Sequence, residues 1–342
     1  MDLEKRSAGF GAAIILFAVL LRLLAGVLPQ YGHALRPEQG GDLVLRVPGA
    51  GLQSPGSTTV VPPATSPAPS PPATVPPVTV PAPTVPPQRL QFGAEDVGYI
   101  QLKTASGCHY YPDLTSLLLQ PLSWDLDSGE PAVLIYHSHA CEAYTREPGD
   151  LYTELVNCRT TDPQYNMLAV GDMLAQLLEK AGIRVIHDRQ LHDEPSYSNA
   201  YTSSRRSVAA YLEQYPSIRL VLDLHRDAAT LANGKPYATS AAVDGQAAAQ
   251  FMLVMGTDSG GANHDRWQEN LSVALKLQVL LEQQATGITR PTQLRGSHYN
   301  QDLSAGALLI EVGASGNTRA EVARALPLLA NAIIALKDGA TN

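Results

Sequence analysis

Apolar and polar positions follow three different patterns along the chain. Residues 9–28 (GFGAAIILFAVLLRLLAGVL) are a twenty-residue apolar run broken only by Arg22, long enough to cross a bilayer as a helix, and they predict a transmembrane anchor. Residues 48–87 have no periodicity. Proline alternates there with threonine, valine and serine, as in SPAPSPPATVPPVTVPAPTVPP, so there is no apolar face to bury. From Gly93 onward short apolar runs alternate with stretches at helical spacing, which predicts an α/β domain whose mostly parallel central sheet is flanked by helices.

Within that domain AVLIY (132–136) reads as a buried strand. Asp162-Pro163 reads as a helix start, with Met167, Val170, Leu174, Leu177 and Leu178 on one face and Gly182 closing it. Further strands are expected at 183–187, 218–224 (IRLVLDL), 251–255 (FMLVM) and 307–310, and further helices at 199–214 and 263–284. Asn317 or Thr318 should cap the last helix, with Glu321 completing a capping box, and Pro327 should kink or interrupt it.

This divides the chain into a cytoplasmic end and anchor (1–30), a proline-rich extracytoplasmic linker (31–92) and a catalytic domain (93–342). Lys5 and Arg6 precede the anchor, so the short end should stay in the cytoplasm and the rest should be exported. The run exceeds an ordinary signal-peptide core, and residues 24–30 are a poor cleavage site. A polyproline II linker rises about 3 Å per residue and would carry the domain up to roughly 100 Å from the membrane. The net charge of -8 and the lack of a basic run argue against nucleic acid as a partner. Cys108, Cys141 and Cys158 allow at most one disulfide.

The candidate chemistry sits directly after the predicted strands: His137, His139 and Glu142 after AVLIY, His225 after LVLDL, and Glu311 after ALLI. In an open α/β sheet the carboxyl ends of the strands converge on one crevice, so groups distant in sequence meet there. The H-x-x-E of His139 and Glu142 brings an imidazole and a carboxylate to one turn, and His225 would complete a His₂Glu set of the kind catalytic zinc takes. His137 is the alternative first ligand. A zinc ion brings the pKa of its bound water to roughly 7. Glu311 is then the candidate general acid/base. Asp223, two residues before His225, shares its strand face and is placed to orient it. Cys141 reads most simply as a small packing residue. Arg226, His298 and Asn300, with Tyr299, are candidates for substrate contact, and Trp267 fits the core at least as well as a sugar platform.

VLIYHSHACEAY, LVLDLHRDA, the Asn263-Trp267-Asn270 spacing and HYNQDLSAGALLIEVGASGNT together resemble stage II sporulation protein P over roughly 93–337. The resemblance implies an amidase-3-like (phosphorylase/hydrolase-like) fold and a zinc N-acetylmuramoyl-L-alanine amidase acting on peptidoglycan, with endopeptidase activity on cross-links as well. It also implies septal thinning and engulfment in sporulation, a place at the septal membrane, and partners of the stage II sporulation protein D and M types. Carried over by position, His139, Glu142 and His225 would hold zinc and Glu311 would be the acid/base. Two rival readings are a zinc endopeptidase confined to stem peptides and a non-catalytic wall-binding scaffold.

Overall fold

The computed structural model describes residues 90–337. The expected anchor at 9–28 and stalk at 48–87 lie outside them, and among the described residues no helix is long and apolar enough to cross a membrane. The strands are β1 (Leu102–Thr104), β2 (Val133–Tyr136), β3 (Val185–His187), β4 (Leu220–Asp227), β5 (Ser240–Val243), β6 (Gln246–Ala249), β7 (Phe251–Gly256), β8 (Thr292–Arg295) and β9 (Ala307–Ala314). Between them run helices α1 (Leu114–Leu118), α2 (Met167–Lys180), α3 (Ala200–Gln214), α4 (Trp267–Gln284) and α5 (Arg319–Ala335).

The central sheet has the order β1-β8-β7-β9-β4-β2-β3, and β5 with β6 forms a separate hairpin. Every neighbouring pair in the central sheet is parallel except β7 with β9. That antiparallel seam splits the sheet into two parallel blocks.

Strand residues alternate between the two faces, and the contacts show which face each serves. Val133, Ile135, Leu222, Leu224, Leu253, Met255, Leu308 and Ile310 build the main core with Leu174 and Leu178 of α2, Leu271 and Leu275 of α4, and Leu326 and Leu329 of α5. On the opposite face Leu134, Tyr136, Val221 and Ala307 pack on Val208 of α3. A smaller cluster of Met252, Val254 and Leu309 packs there against Tyr299. Asp223, His225 and Glu311 share the parity of Val221 and Leu309, so they lie on this second face.

Several expected boundaries shift. β4 and β9 run on through His225 and Glu311 to Asp227 and Ala314, so these two residues lie inside strands rather than after them. α2 begins at Met167, because the Asn166 side chain accepts from Leu168 N whereas Asp162 accepts from Gln164 N in a turn. α4 begins at Trp267, not at 263, and α3 at Ala200 after a 3₁₀ turn over Tyr197–Asn199. Thr318 and Glu321 do form the capping box, with Glu321 Oε2 accepting from Thr318 N at 2.7 Å and Thr318 Oγ1 from Glu321 N at 3.2 Å. α5 continues through Pro327 without interruption.

Candidate metal centre

Three elements deliver the site. His139 and Glu142 come from the turn after β2, which Asp193 holds by accepting from Cys141 N at 3.3 and 3.2 Å. His225 arrives on β4, and Glu311 stands beside it on β9, its partner in the parallel register. Residues opposed in this way share a face about 5 Å apart, so backbone pairing sets the spacing of His225 and Glu311.

One ligand atom from each of His139, Glu142 and His225 lies within 4.8 Å of the others, and all three residues are buried. The two oxygens of Glu142 face different histidines: Oε1 is 3.6 Å from His139 Nδ1 and Oε2 is 3.4 Å from His225 Nδ1. These gaps are too long for good hydrogen bonds, yet short enough for one ion to be shared by the three residues. The far side of His225 is fixed by Asp223 Oδ1, which accepts from Nε2 at 2.8 Å and leaves Nδ1 to the cluster. Asp223 in turn accepts from Ser138 N and Ser138 Oγ, each at 2.8 Å. A carboxylate behind a histidine is the usual support of a metal-ligating imidazole. Two imidazoles and one carboxylate, so supported, fit zinc's donor preference.

His139 is sandwiched against Tyr197, with ring centroids 4.4 Å apart and planes within 11°, and meets the edge of Tyr201 at 5.5 Å. Burial lowers its pKa, which keeps the imidazole neutral. His137 stands outside the cluster. Its Nδ1 donates to Leu224 O and its Nε2 pairs with His187 Nε2, both at 2.9 Å, so neither nitrogen is left for a metal. Burial pushes its pKa down to about 3. His187 Nδ1 lies 3.0 Å from Asp172, which also pairs with Arg189.

Burial alone would raise the Glu142 carboxyl, but the Arg226 guanidinium and His225 outweigh it and hold it at about 2. Burial opposes charge on His225 as well, yet Asp223 and Glu142 lift its pKa well above the ordinary value. Glu311 behaves in the opposite way. Burial, with Glu142 nearby, pushes it up to about 8, and its Oε2 is enclosed without a hydrogen-bond partner. A carboxyl so placed holds its proton near neutrality and is poised for acid/base work.

Other expected contacts are used differently. Arg226 is buried and does not reach outward: its backbone N–H donates to Glu142 Oε2 at 3.2 Å, Nε to Ala143 O at 3.0 Å and Nη2 to Asn157 O at 2.7 Å. Expected to touch substrate, it instead pins the loop after Glu142. Asn300 is likewise buried and donates to Tyr201 O and Ser204 Oγ. His298 keeps partial exposure but pairs with Asp302 at 3.1 Å. Cys141 is buried, free and absent from the cluster, with its thiol pushed up by burial. Trp267 is a core residue stacked on Tyr110 at 4.7 Å. Asp193, Tyr197 and His187 escaped the sequence reading because their partners lie tens of residues away.

The fold and site define an α/β domain with a buried two-histidine, one-carboxylate cluster and an unpaired carboxyl on the adjoining strand. The family model described as stage II sporulation protein P (SpoIIP) matches residues 91–334, well over half of the chain, and the chain belongs to that family. It is 29% identical over 204 residues to stage II sporulation protein P of Bacillus subtilis (strain 168), an alignment covering 56% of this chain and 48% of that protein. The chain thus spans about half the length of the curated relative it matches. Solved structures similar to it include the N-acetylmuramoyl-L-alanine amidase AmiC2 of Nostoc punctiforme (12% identity, TM-score 0.35, covering 59% of this chain and 93% of that one). The CwlD amidase of Clostridioides difficile, solved with the GerS lipoprotein, is also similar (15% identity, TM-score 0.35, covering 59% and 94%).

Proposed function

We propose that this chain is a zinc-dependent peptidoglycan hydrolase cleaving the amide between N-acetylmuramic acid and the L-alanine of the stem peptide, in sporulation. The observation that carries the reading is the convergence of His139, Glu142 and His225 beside an enclosed, unpaired Glu311 oxygen. His139 Nδ1, His225 Nδ1 and a Glu142 oxygen would hold the metal. A zinc ion there supplies Lewis acidity to the amide carbonyl and to water. Asp223 keeps the His225 ring turned, and Arg226 keeps Glu142 ionised and its loop in place. Glu311, beside His225 in the parallel register, would in its ionised form, which the charge of a bound metal favours, take a proton from the attacking water and return it to the leaving amine. The Tyr197 ring stacked on His139 and the Tyr201 ring set edgewise to it limit water on that flank.

The rest of the proposal follows the sequence: a membrane anchor at 1–30, a linker at 31–92, a catalytic domain from 93 working outside the membrane at the sporulation septum, and partners of the stage II sporulation protein D and M types. The test is to incubate the purified chain with peptidoglycan, with chelator or added zinc, and identify products by mass spectrometry. Zinc-dependent release of stem peptides with a free L-alanine amine is expected. Cut peptides still joined to muramic acid would make the enzyme an endopeptidase, and no metal-dependent product would leave a scaffold.

A further inference from the structure

Next to Glu311 stands an ion pair that the mechanism above does not use. Beyond β9 and β7 runs the segment 288–290: Phe251 N donates to Ile288 O at 2.9 Å and Arg290 N to Phe251 O at 2.7 Å, the parallel ladder that pairs Phe251 with Thr289. Thr289 Oγ1 bonds Glu282 of α4 on the main-core side, so Arg290, the next residue, lies on the opposite face, the one that carries Met252 and Glu311. Its Nη1 donates to Asp227 Oδ2 at 2.7 Å. Asp227 ends β4, two residues beyond His225, which is the register partner of Glu311. The ion pair therefore crosses β7 and β9 just past the Met252–Glu311 pair.

Solvent reaches this side of Glu311. Tyr299 packs on Met252, Val254 and Leu309 and covers the face towards the far end of β7, whereas Glu311 is half-buried and the side chains of Arg290 and Asp227 keep 26% and 24% exposure. Asp227 takes one N–H of the guanidinium; Nε and Nη2 have no partner among the described residues and are not enclosed. Arg226, by contrast, is buried and spends its donors on backbone carbonyls. A guanidinium carries five donors in a fixed fork, enough to hold a second carboxylate beside the first. Sheet order also gives a direction: β2 and β4 bring the metal-holding residues, β9 brings Glu311, and Arg290 stands beyond β7. An amide with its carbonyl at the metal and its nitrogen at Glu311 thus sends its leaving side towards Arg290. Asp227, to which the guanidinium is bonded, lies one strand over and about two residues along from Glu311, roughly 8 Å Cα to Cα. An extended chain covers that distance in about two residues.

We infer that Arg290, held by Asp227, receives a carboxylate of the leaving peptide carried within two residues of the cut amide, and so determines specificity for an acidic residue there. This rests on the proposed hydrolase reading and adds to it the charge of the group next to the reacting bond. Nε and Nη2 of Arg290 would make charge-assisted hydrogen bonds to that carboxylate while Nη1 stays on Asp227.

The test uses the whole zinc-loaded chain and two N-acetylmuramoyl dipeptides that differ only in whether the second residue bears a free carboxylate or its amide, comparing kcat/KM by product release. The wild type should favour the acid about tenfold, and Arg290→Gln should bring the ratio close to one. A wild type indifferent to the group overturns the inference, and that comparison needs no variant. An Arg290→Gln chain that slows both peptides equally and keeps the ratio also overturns it, because that is the effect of losing a purely structural tie across the sheet. Calorimetry on the Glu311→Gln chain, which should hold the same peptides uncut, reads the contact without turnover. The acid should bind about tenfold tighter than the amide, and adding Arg290→Gln should remove the difference. If the wild type cuts neither peptide but this binding difference is present, the contact stands and the hydrolase reading falls; cutting with neither a kinetic nor a binding difference does the reverse.

Discussion

His225 is bonded on one nitrogen by Asp223 and faced on the other by Glu142, and this double acidic environment raises its pKa in the metal-free protein. A metal entering the cluster has to displace that proton, so zinc affinity should fall steeply as pH drops below neutral, with measurable proton release on binding. Calorimetry in buffers of different ionisation enthalpy checks this, and an affinity flat between pH 6 and 8 would count against His225 as a ligand. Asp223→Asn should weaken zinc about 10- to 100-fold while leaving the domain folded, as judged by chelator competition. Glu311→Gln should keep zinc and lose hydrolysis by about 100-fold or more. Retained activity would remove Glu311 from the mechanism. In the chelated protein the same substitution has a pH signature. The folded pKa of about 8 lies above the ordinary value of 4.5, so the wild type loses stability as pH rises between the two, and the Gln variant does not. Denaturant titrations should show the variant gaining on the wild type by on the order of a few kcal/mol from pH 5 to 8. Much of this site was legible in the sequence: histidines and acids stood at the ends of apolar runs. The inward duty of Arg226 was not, because its acceptors are backbone carbonyls 68, 69 and 83 residues away in the chain.

At the scale of elements, local signals were readable where the chemistry is local. The Thr318 capping box is such a case, and Thr318→Ala should cost about 1 kcal/mol, seen as a lowered Tm. Asp244-Gly245 between β5 and β6 is another, since both residues take positive φ (50° and 76°) as a two-residue hairpin turn requires; that pair passed unread because its flanking alanines look like neither strand nor helix. Strand direction has no signature in apolar spacing, so the antiparallel seam could not be foreseen. Gly171 illustrates a tertiary demand overriding propensity. A Cβ there would stand 2.4 Å from His187 Nε2 and 2.7 Å from His137 Nε2, so the middle of α2 is kept bare for the imidazole pair. Gly171→Ala gains about 1 kcal/mol of helix propensity but loses about 1–3 kcal/mol to overpacking and disrupts the bond to Leu224 O. A lowered Tm is expected, and one equal to the wild type's would mean that α2 shifts freely.

For the molecule as a whole, a metal bound only in the folded state stabilises it by mass action. Zinc at about 100 times its Kd should add about 2.7 kcal/mol and raise the Tm of the wild type. His225→Ala should show no such rise, and an equal rise would move the metal elsewhere. The α/β class and the flanking helices were legible as alternating short and long apolar segments. Sheet order was not, because neighbours such as β1 and β8 are almost two hundred residues apart, and pairing at that range depends on which surfaces remain uncovered.

β9 is the final strand of the described residues, yet it lies in the interior of the sheet, between β4 and β7. During synthesis or export, the segments carrying His139, Glu142 and His225 emerge well before the strand that bears Glu311. A partly emerged chain lacks the acid/base, and β4 and β7 have no partner across the gap until β9 is inserted. Long-range pairing of this kind is slow. On the proposed function, the catalytic apparatus stays incomplete until almost the whole domain has been synthesised and β9 has closed the sheet.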